Sequence, residues 1–467
     1  MEDKNFLGVI KLIRRGDIIE FTIDESLFAG KAFGYFDGRK VTVRNGIPGQ
    51  KVRALVRRVR KKEIEGQIQE VVSKSPFEDR ETCKHFGQCG GCTLQSLNYE
   101  KQLELKAKQV KRLFDNAGIQ DYNCLGIEAS PDILGYRNKM EFSFGDEEKG
   151  GPLTLGMHKL NRKYDIVTVD GCLIVDEDYR KLLLTVLEHF REKQIGQYNS
   201  RSRKGYLRHL VIRKAKFTGE ILINLVTTTQ GEINHQDLLD KLMALELKGQ
   251  IVGFLHTLND SLADIVQSDK TNIIYGRDYI YEKILGLKFK ISTFSFFQTN
   301  SSGAEKLYEI VKDFTGNAEE QIIFDLYCGT GVIGQIVAGG AKKVVGIELI
   351  EEAVEAAREN AQMNNINNCI FICGDVKEEI KGLGEQADII IIDPPRAGIN
   401  PKAIRDIITA KAEKIVYVSC NPQSLVRDLL VFEENGYKVQ KVKCMDMFPH
   451  TSHVECVVKI QRVEQSK

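Results

Sequence analysis

No stretch of this chain stays apolar and uncharged for the roughly 18 residues that a membrane-spanning helix needs. The opening Met1-Glu2-Asp3-Lys4 also lacks the basic-then-apolar order of a secretion signal. Together these absences set the expectation of a cytoplasmic protein with no membrane partner. Neither sign of charge is in excess: 66 lysines and arginines almost cancel 65 aspartates and glutamates. A polyanionic partner would therefore be met by local basic patches and not by the field of the whole molecule. Arg57-Arg58-Val59-Arg60-Lys61-Lys62 is one such patch. The 11 cysteines are an odd number; without a secretion signal they read as thiols, some of them metal-bound, in place of a disulfide framework. With 467 residues, 42% hydrophobic, the chain is too long for a single core and divides into several domains.

From Gly16 to Val72, short alternating apolar runs (18–23, 40–43, 51–56 and 65–72) are separated by Gly30, Gly34, Gly38 and Gly46-Ile47-Pro48-Gly49. That spacing predicts a small β-barrel, OB-like in size. The segment resembles a TRAM domain, an RNA-binding barrel attached to RNA-modifying enzymes. Next come Cys83, Cys89 and Cys92, spaced x5 and x2 among glycines that let a loop fold tightly around an ion or cluster. Three thiolates want a fourth. Cys172, following an apolar strand and a glycine, is the candidate, whereas Cys124 stands alone. Spacing leaves tetrahedral zinc and an iron–sulfur cluster both open. Residues 83–92 resemble the 4Fe-4S motif of the RNA 5-methyluridine methyltransferases, which favours the cluster.

Leucines at helical spacing predict a charged surface helix over 99–117, joining the cysteine loop to the next unit. Alternating strands and a helix over 136–229 predict an α+β middle domain. Its Tyr136-Arg137-Asn138-Lys139 and Arg201-Ser202-Arg203-Lys204 are candidate phosphate contacts. From Gln321, apolar runs at 322–326, 343–347, 369–373, 388–392 and 414–418 alternate with helical stretches, the pattern of a doubly wound, Rossmann-like parallel sheet buried on both faces. Two more strands, 437–444 and 454–460, are expected as an antiparallel hairpin at the sheet edge. The resulting division is 1–75, 76–125, 126–300 and 301–467.

Gly329-Thr330-Gly331-Val332-Ile333-Gly334 matches the dinucleotide fingerprint G-x-G-x-x-G in form, so a nicotinamide-dependent oxidoreductase is a rival at this point. Residues 325–331 look like motif I of S-adenosylmethionine methyltransferases, with Glu348 ending the next strand where a ribose would lie. Asp393-Pro394-Pro395 resembles the corresponding motif of amino methyltransferases, except that Arg396 replaces the aromatic residue that stacks the target base. Cys420, where the strand 414–418 runs out, offers a different chemistry. Carbon five of uracil is a poor nucleophile until a thiolate adds to carbon six. The methylated carbon must then lose a proton, for which Glu455 is the candidate base.

Phe296-Phe297-Gln298-Thr299-Asn300, motif I, Asp393-Pro394-Pro395-Arg396, Ser419-Cys420-Asn421-Pro422 and His453-Val454-Glu455 together resemble the RNA 5-methyluridine methyltransferase family, most nearly its bacterial 23S ribosomal RNA branch. The resemblance implies a class I methyltransferase domain, Cys420 as nucleophile and Glu455 as base. It implies that Gln298, Tyr327, Glu348 and Asp393, with Asp375 at the adenine, bind S-adenosylmethionine, and that Cys83, Cys89, Cys92 and Cys172 hold a 4Fe-4S cluster. The transfer-RNA branch is expected to lack the barrel and the cluster, so the expected partner is 23S ribosomal RNA, acted on by a monomer. A transfer-RNA enzyme and a non-catalytic RNA-binding protein are the alternatives.

Overall fold

The computed structural model describes residues 13–262 and 269–463. Residues 1–12, where the expected barrel unit begins, residues 263–268 of the middle unit and residues 464–467 lie outside the described residues. Five strands, β1 (Ile18–Leu27), β2 (Lys31–Phe36), β3 (Arg39–Arg44), β4 (Lys51–Val59) and β5 (Glu63–Ser73), close a barrel in the order β1-β2-β3-β5-β4. Alternation turns Ile19, Phe21, Ile23, Val52 and Val56 inward. The sequence pattern does not reveal β2, because Gly30 and Gly34 look like breaks. Gly34 in fact lies opposite Ile23, where a Cβ would stand 2.0 Å from the Thr22 carbonyl oxygen, so close strand approach requires the glycine.

Helix α1 (Tyr99–Ala117) is capped by the Asn98 side chain and stopped by Gly118 at φ 76°. It is more than a surface connector. Val110 and Phe114 are buried in the core that also holds Leu425 and Phe432 near the end of the chain. The barrel docks on its other side, through Glu25 to Lys108 (3.4 Å) and Arg112. The strand that follows, β6 (Asn123–Glu128), crosses the boundary expected at 125/126 and joins the last sheet of the molecule.

The middle sheet contains β7 (Lys139–Asp146), β8 (Leu153–His158), β9 (Ile166–Thr168), β10 (Leu207–Lys214), β11 (Glu220–Thr227), β12 (Gln250–Leu258) and β13 (Lys270–Gly276), ordered β13-β12-β11-β10-β7-β8-β9. Helices α2 (Glu177–Glu192) and α3 (His235–Met243) share its core through Leu182, Phe190 and Leu238. A hairpin, β14 (Tyr279–Ile284) and β15 (Leu287–Ser292), leads to α4 (Ser301–Thr315).

The third sheet is built from β16 (Ala318–Leu326), β17 (Ala341–Glu348), β18 (Cys369–Cys373), β19 (Ile389–Ile392), β20 (Lys414–Ser419), β21 (Tyr437–Met445) and β22 (Glu455–Arg462). Helices α5 (Val332–Ala338), α6 (Glu351–Met363), α7 (Val376–Gly382), α8 (Pro401–Thr409) and α9 (Pro422–Glu434) connect them. The order is β18-β17-β16-β19-β20-β22-β21-β6, with the first five strands parallel. Along β19, Ile390 and Ile392 enter one core and Ile389 and Ile391 the other, which is why this strand reads as an unbroken apolar run. The hairpin β21–β22 is antiparallel but not at the edge: β22 pairs with β20, and β6 covers β21. No helix among the described residues is long and apolar enough to cross a membrane.

Candidate active site

The strand order reverses between β16 and β19, and ligands of such sheets settle outside the carboxyl ends at that switch point. The predicted residues follow those ends: Tyr327 after β16, Glu348 closing β17, Asp375 after β18, Asp393 after β19 and Cys420 after β20. Glu348 is oriented by two amides, accepting from Gly329 N at 3.1 Å and Ile350 N at 3.0 Å. Gly329 is left-handed at φ 54°, and a Cβ added there would meet nothing within 4 Å, so the turn opens onto free space. Tyr327, also left-handed at φ 63°, is half-buried. Asp375 is exposed and uses one carboxylate oxygen to cap α7, accepting from Lys377 N at 3.0 Å. Gln298 is buried just before α4, and its carbonyl oxygen accepts from Asn138 Nδ2 at 2.8 Å. Tyr136 and Asn138, read as candidate phosphate contacts, are themselves buried in this junction.

The reacting groups converge by sheet register. Ser419 pairs with Cys456 on antiparallel β22, so the next position sets Cys420 beside Glu455. Burial pushes the Glu455 carboxyl up to about 8, with the Asp393 charge adding and Arg396 opposing. Burial likewise raises Asp393 to about 7 and the Cys420 thiol to about 11, the latter helped by Glu455 and Asp393 and opposed by Arg396. Asn421 fixes the loops together: its side chain caps α9 and its Nδ2 donates to the Arg396 carbonyl oxygen at 2.9 Å. Burial lowers His453 to about 4, so it stands as a neutral imidazole.

One residue that the sequence reading left without a role is Asp325. It is fully buried, its Oδ2 accepts from Gly334 N at 2.9 Å, and its Oδ1 has no partner. Burial raises it to about 8. A buried carboxylate oxygen without a donor, beside an open glycine turn, fits the ammonium of an amino-acid-bearing cofactor such as S-adenosylmethionine.

Residues 98–463 match the family model described as tRNA (uracil-5-)-methyltransferase. The chain belongs to that RNA methyltransferase family. A relative in Clostridium tetani, described as an RNA methyltransferase, is 54% identical over 96% of this chain and 99% of its own. Another, in Clostridium acetobutylicum, is 52% identical over 97% and 99%. Among solved structures, the tRNA (uracil-54, C5)-methyltransferase of Pyrococcus abyssi, in complex with S-adenosyl-L-homocysteine, is 29% identical with a TM-score of 0.74, covering 95% of this chain and 100% of that one. The protein is therefore an S-adenosylmethionine-dependent RNA (uracil-5)-methyltransferase. Because that match spans 95% of this chain, this one transfer-RNA enzyme departs from the expectation that its branch lacks the barrel.

In this methyltransferase the four singled-out cysteines gather in one place. Asp170 takes Lys84 (2.7 Å), and the Gly171 amide donates to His85 Nε2 (3.1 Å), so the turn carrying Cys172 is tied to the loop carrying Cys83, Cys89 and Cys92. Cys172 is raised to about 11, by burial and then by Cys89 and Cys83. Among the described residues no three ligating side chains converge as on a single ion. The charges of Cys172, Cys89 and Cys83 add to burial in raising the Cys92 thiol, while Arg137, whose buried Nε lacks a partner, opposes them.

Proposed function

We propose that the enzyme methylates carbon five of a uridine in folded 23S ribosomal RNA through a covalent adduct of Cys420, acting as a cytoplasmic monomer. The observation that carries the chemistry is the β20–β22 register, which sets a half-buried thiol beside a buried carboxyl raised to about 8. The cofactor would be held by Asp325 and Glu348, with Gln298, Tyr327, Asp393 and Asp375 completing the cleft. When bound, it supplies an electrophilic methyl group. Cys420 gives its thiol proton to solvent, Sγ attacks carbon six, and the electron pair displaced from the 5,6 double bond makes carbon five nucleophilic. Arg396 favours the thiolate. Glu455 takes the proton of methylated carbon five, the double bond reforms and Sγ departs. To act as the base Glu455 must be ionised, a form that burial disfavours and Arg396 favours. The cluster site, Cys83, Cys89, Cys92 and Cys172, has no group in this sequence of steps; we assign it a structural 4Fe-4S cluster.

A transfer-RNA substrate is the second reading, favoured by the match to the Pyrococcus abyssi enzyme. Mapping 5-methyluridine in ribosomal and transfer RNA from cells with and without the protein decides between them. Loss of one ribosomal position, restored by the wild type but not by Cys420→Ala, is expected; loss from transfer RNA alone would overturn the ribosomal assignment. Restoration by Cys420→Ala would overturn the mechanism.

A further inference from the structure

The middle sheet carries a cavity of about 380 Å³ that no step above uses. It is lined by the ends of β7 and β8 and by the loops holding Tyr164, Tyr198 and Arg201. Arg201 was singled out in the sequence only for its charge. Folding places its guanidinium 4.3 Å from the centre of the Tyr164 ring, with Lys163 at 5.5 Å. Tyr164 remains 45% exposed. Opposite, Arg208 lies 4.9 Å from the Tyr198 ring and is buried, donating to Asn259 O and Ser261 O at 2.8 Å, so that wall is rigid. The Arg201 guanidinium, held over a partly exposed tyrosine, offers an unpaired base and its phosphate a planar group to stack on and a charge to neutralise.

We infer that this cavity is a second nucleotide-binding subsite, taking an unpaired base of the RNA substrate at a distance from the methylated uridine. The inference rests on the proposed RNA reading and deepens it. The distance follows from β7. Asn138, one residue before it, holds the Gln298 carbonyl beside the cofactor cleft, whereas Phe144 and Asp146 line the cavity. Six to eight residues at about 3.3 Å each separate the two by roughly 20–26 Å. A substrate that fills both sites must present two unpaired elements that far apart, which a folded RNA does and a minimal hairpin does not.

The test uses the full-length enzyme. First, decauridylate containing 4-thiouridine is photo-crosslinked to the wild type and the modified peptides are mapped. Crosslinks at Tyr164 or Tyr198 are expected; crosslinks confined to other regions would overturn the subsite whatever the RNA substrate proves to be. Second, Tyr164→Ala and Arg201→Ala are assayed on unmodified 23S ribosomal RNA and transfer-RNA transcripts. KM for the methylated transcript should rise about tenfold with kcat and S-adenosylhomocysteine affinity unchanged, the mark of lost uniform binding. The slope of log affinity against log salt should fall by about one for Arg201→Ala and hold for Tyr164→Ala. Tyr164→Phe should behave as wild type. An unchanged KM in Tyr164→Ala, or a Tyr164→Phe as impaired as Tyr164→Ala, would overturn the stacking role. Methylation of neither transcript by the wild type would instead count against the proposed function, leaving the crosslink map to decide the subsite.

Discussion

Lys106 is the most informative residue to perturb for stability, because it is buried in α1 and its partner stands in the loop that delivers Glu455. Its Nζ lies 2.6 Å from Asp446 Oδ1 and 3.1 Å from the Phe448 carbonyl, with side chains 1% and 0% exposed. Burial pushes the lysine pKa down while Asp446 pulls it back up. Lys106→Met keeps most of the stem and removes the ammonium. At an effective dielectric of about 20 the lost attraction is about 6 kcal/mol. The net loss expected is about 3 to 5 kcal/mol, the range for breaking a buried pair by removing one partner. The pair is measured by urea unfolding followed by circular dichroism, comparing the transition of the C-terminal unit, since a multidomain chain need not unfold in one step. Lys106→Met/Asp446→Leu should recover most of the loss. A loss below about 1 kcal/mol, or a double variant as unstable as the single, would refute the reasoning.

Four further outcomes are expected. Glu455→Gln should permit methylation but stall release, leaving a covalent protein–RNA band on a denaturing gel; free turnover with no band would mean that another group is the base. Asp325, Asp393 and Glu455 bind protons more tightly folded than unfolded, so stability falls as pH rises towards their folded values of about 7 to 8, by about 1.4 kcal/mol per unit for each group. Because the lowered His256, His450 and His453 act below pH 6.5, the ligand-free melting midpoint should drop between pH 6.5 and 8, and S-adenosylhomocysteine should flatten that slope; a rising midpoint would refute it. In the barrel, Arg57 donates to Gln67 and Arg60 pairs with Glu65, so Arg58, Lys61 and Lys62 are the cations to replace with alanine; the log–log salt slope for RNA should fall by about two to three while S-adenosylhomocysteine binding holds. Anaerobically purified protein should be brown with about four iron atoms per chain, and stoichiometric zinc without iron would overturn the cluster.

The C-terminal half was legible because each parallel strand is buried on both faces, so 369–373 and 414–418 announce themselves as apolar runs and the chemistry sits where they end. Strands β12–β15 were not assigned: β13 and β15 interleave lysine and asparagine with apolar residues, and β12 looks like a stretch of buried helix as much as a strand. Cys420 and Glu455 could be found because their motifs are local. Asp325 could be suspected only from its place in motif I, since the missing partner of its Oδ1 exists only in the fold. Tyr164 had no signal at all, as nothing near it in sequence shows that Arg201 will lie over its ring.

The pairing of β6 with β21 makes the catalytic sheet discontinuous in the chain, with the whole middle sheet inserted after its edge strand. This has a consequence for synthesis. Lys106 emerges from the ribosome 340 residues before Asp446, an interval of roughly 20 to 70 seconds at 5–20 residues per second. For that time α1 offers a lysine destined for burial, and β6 offers an unpaired edge, with no native partner yet made. A C-terminal fragment starting at residue 301 inherits the complementary defect, an open β21 edge and a buried aspartate without its cation. Such a fragment should aggregate where the full chain does not, and co-expression of residues 1–300 should rescue it.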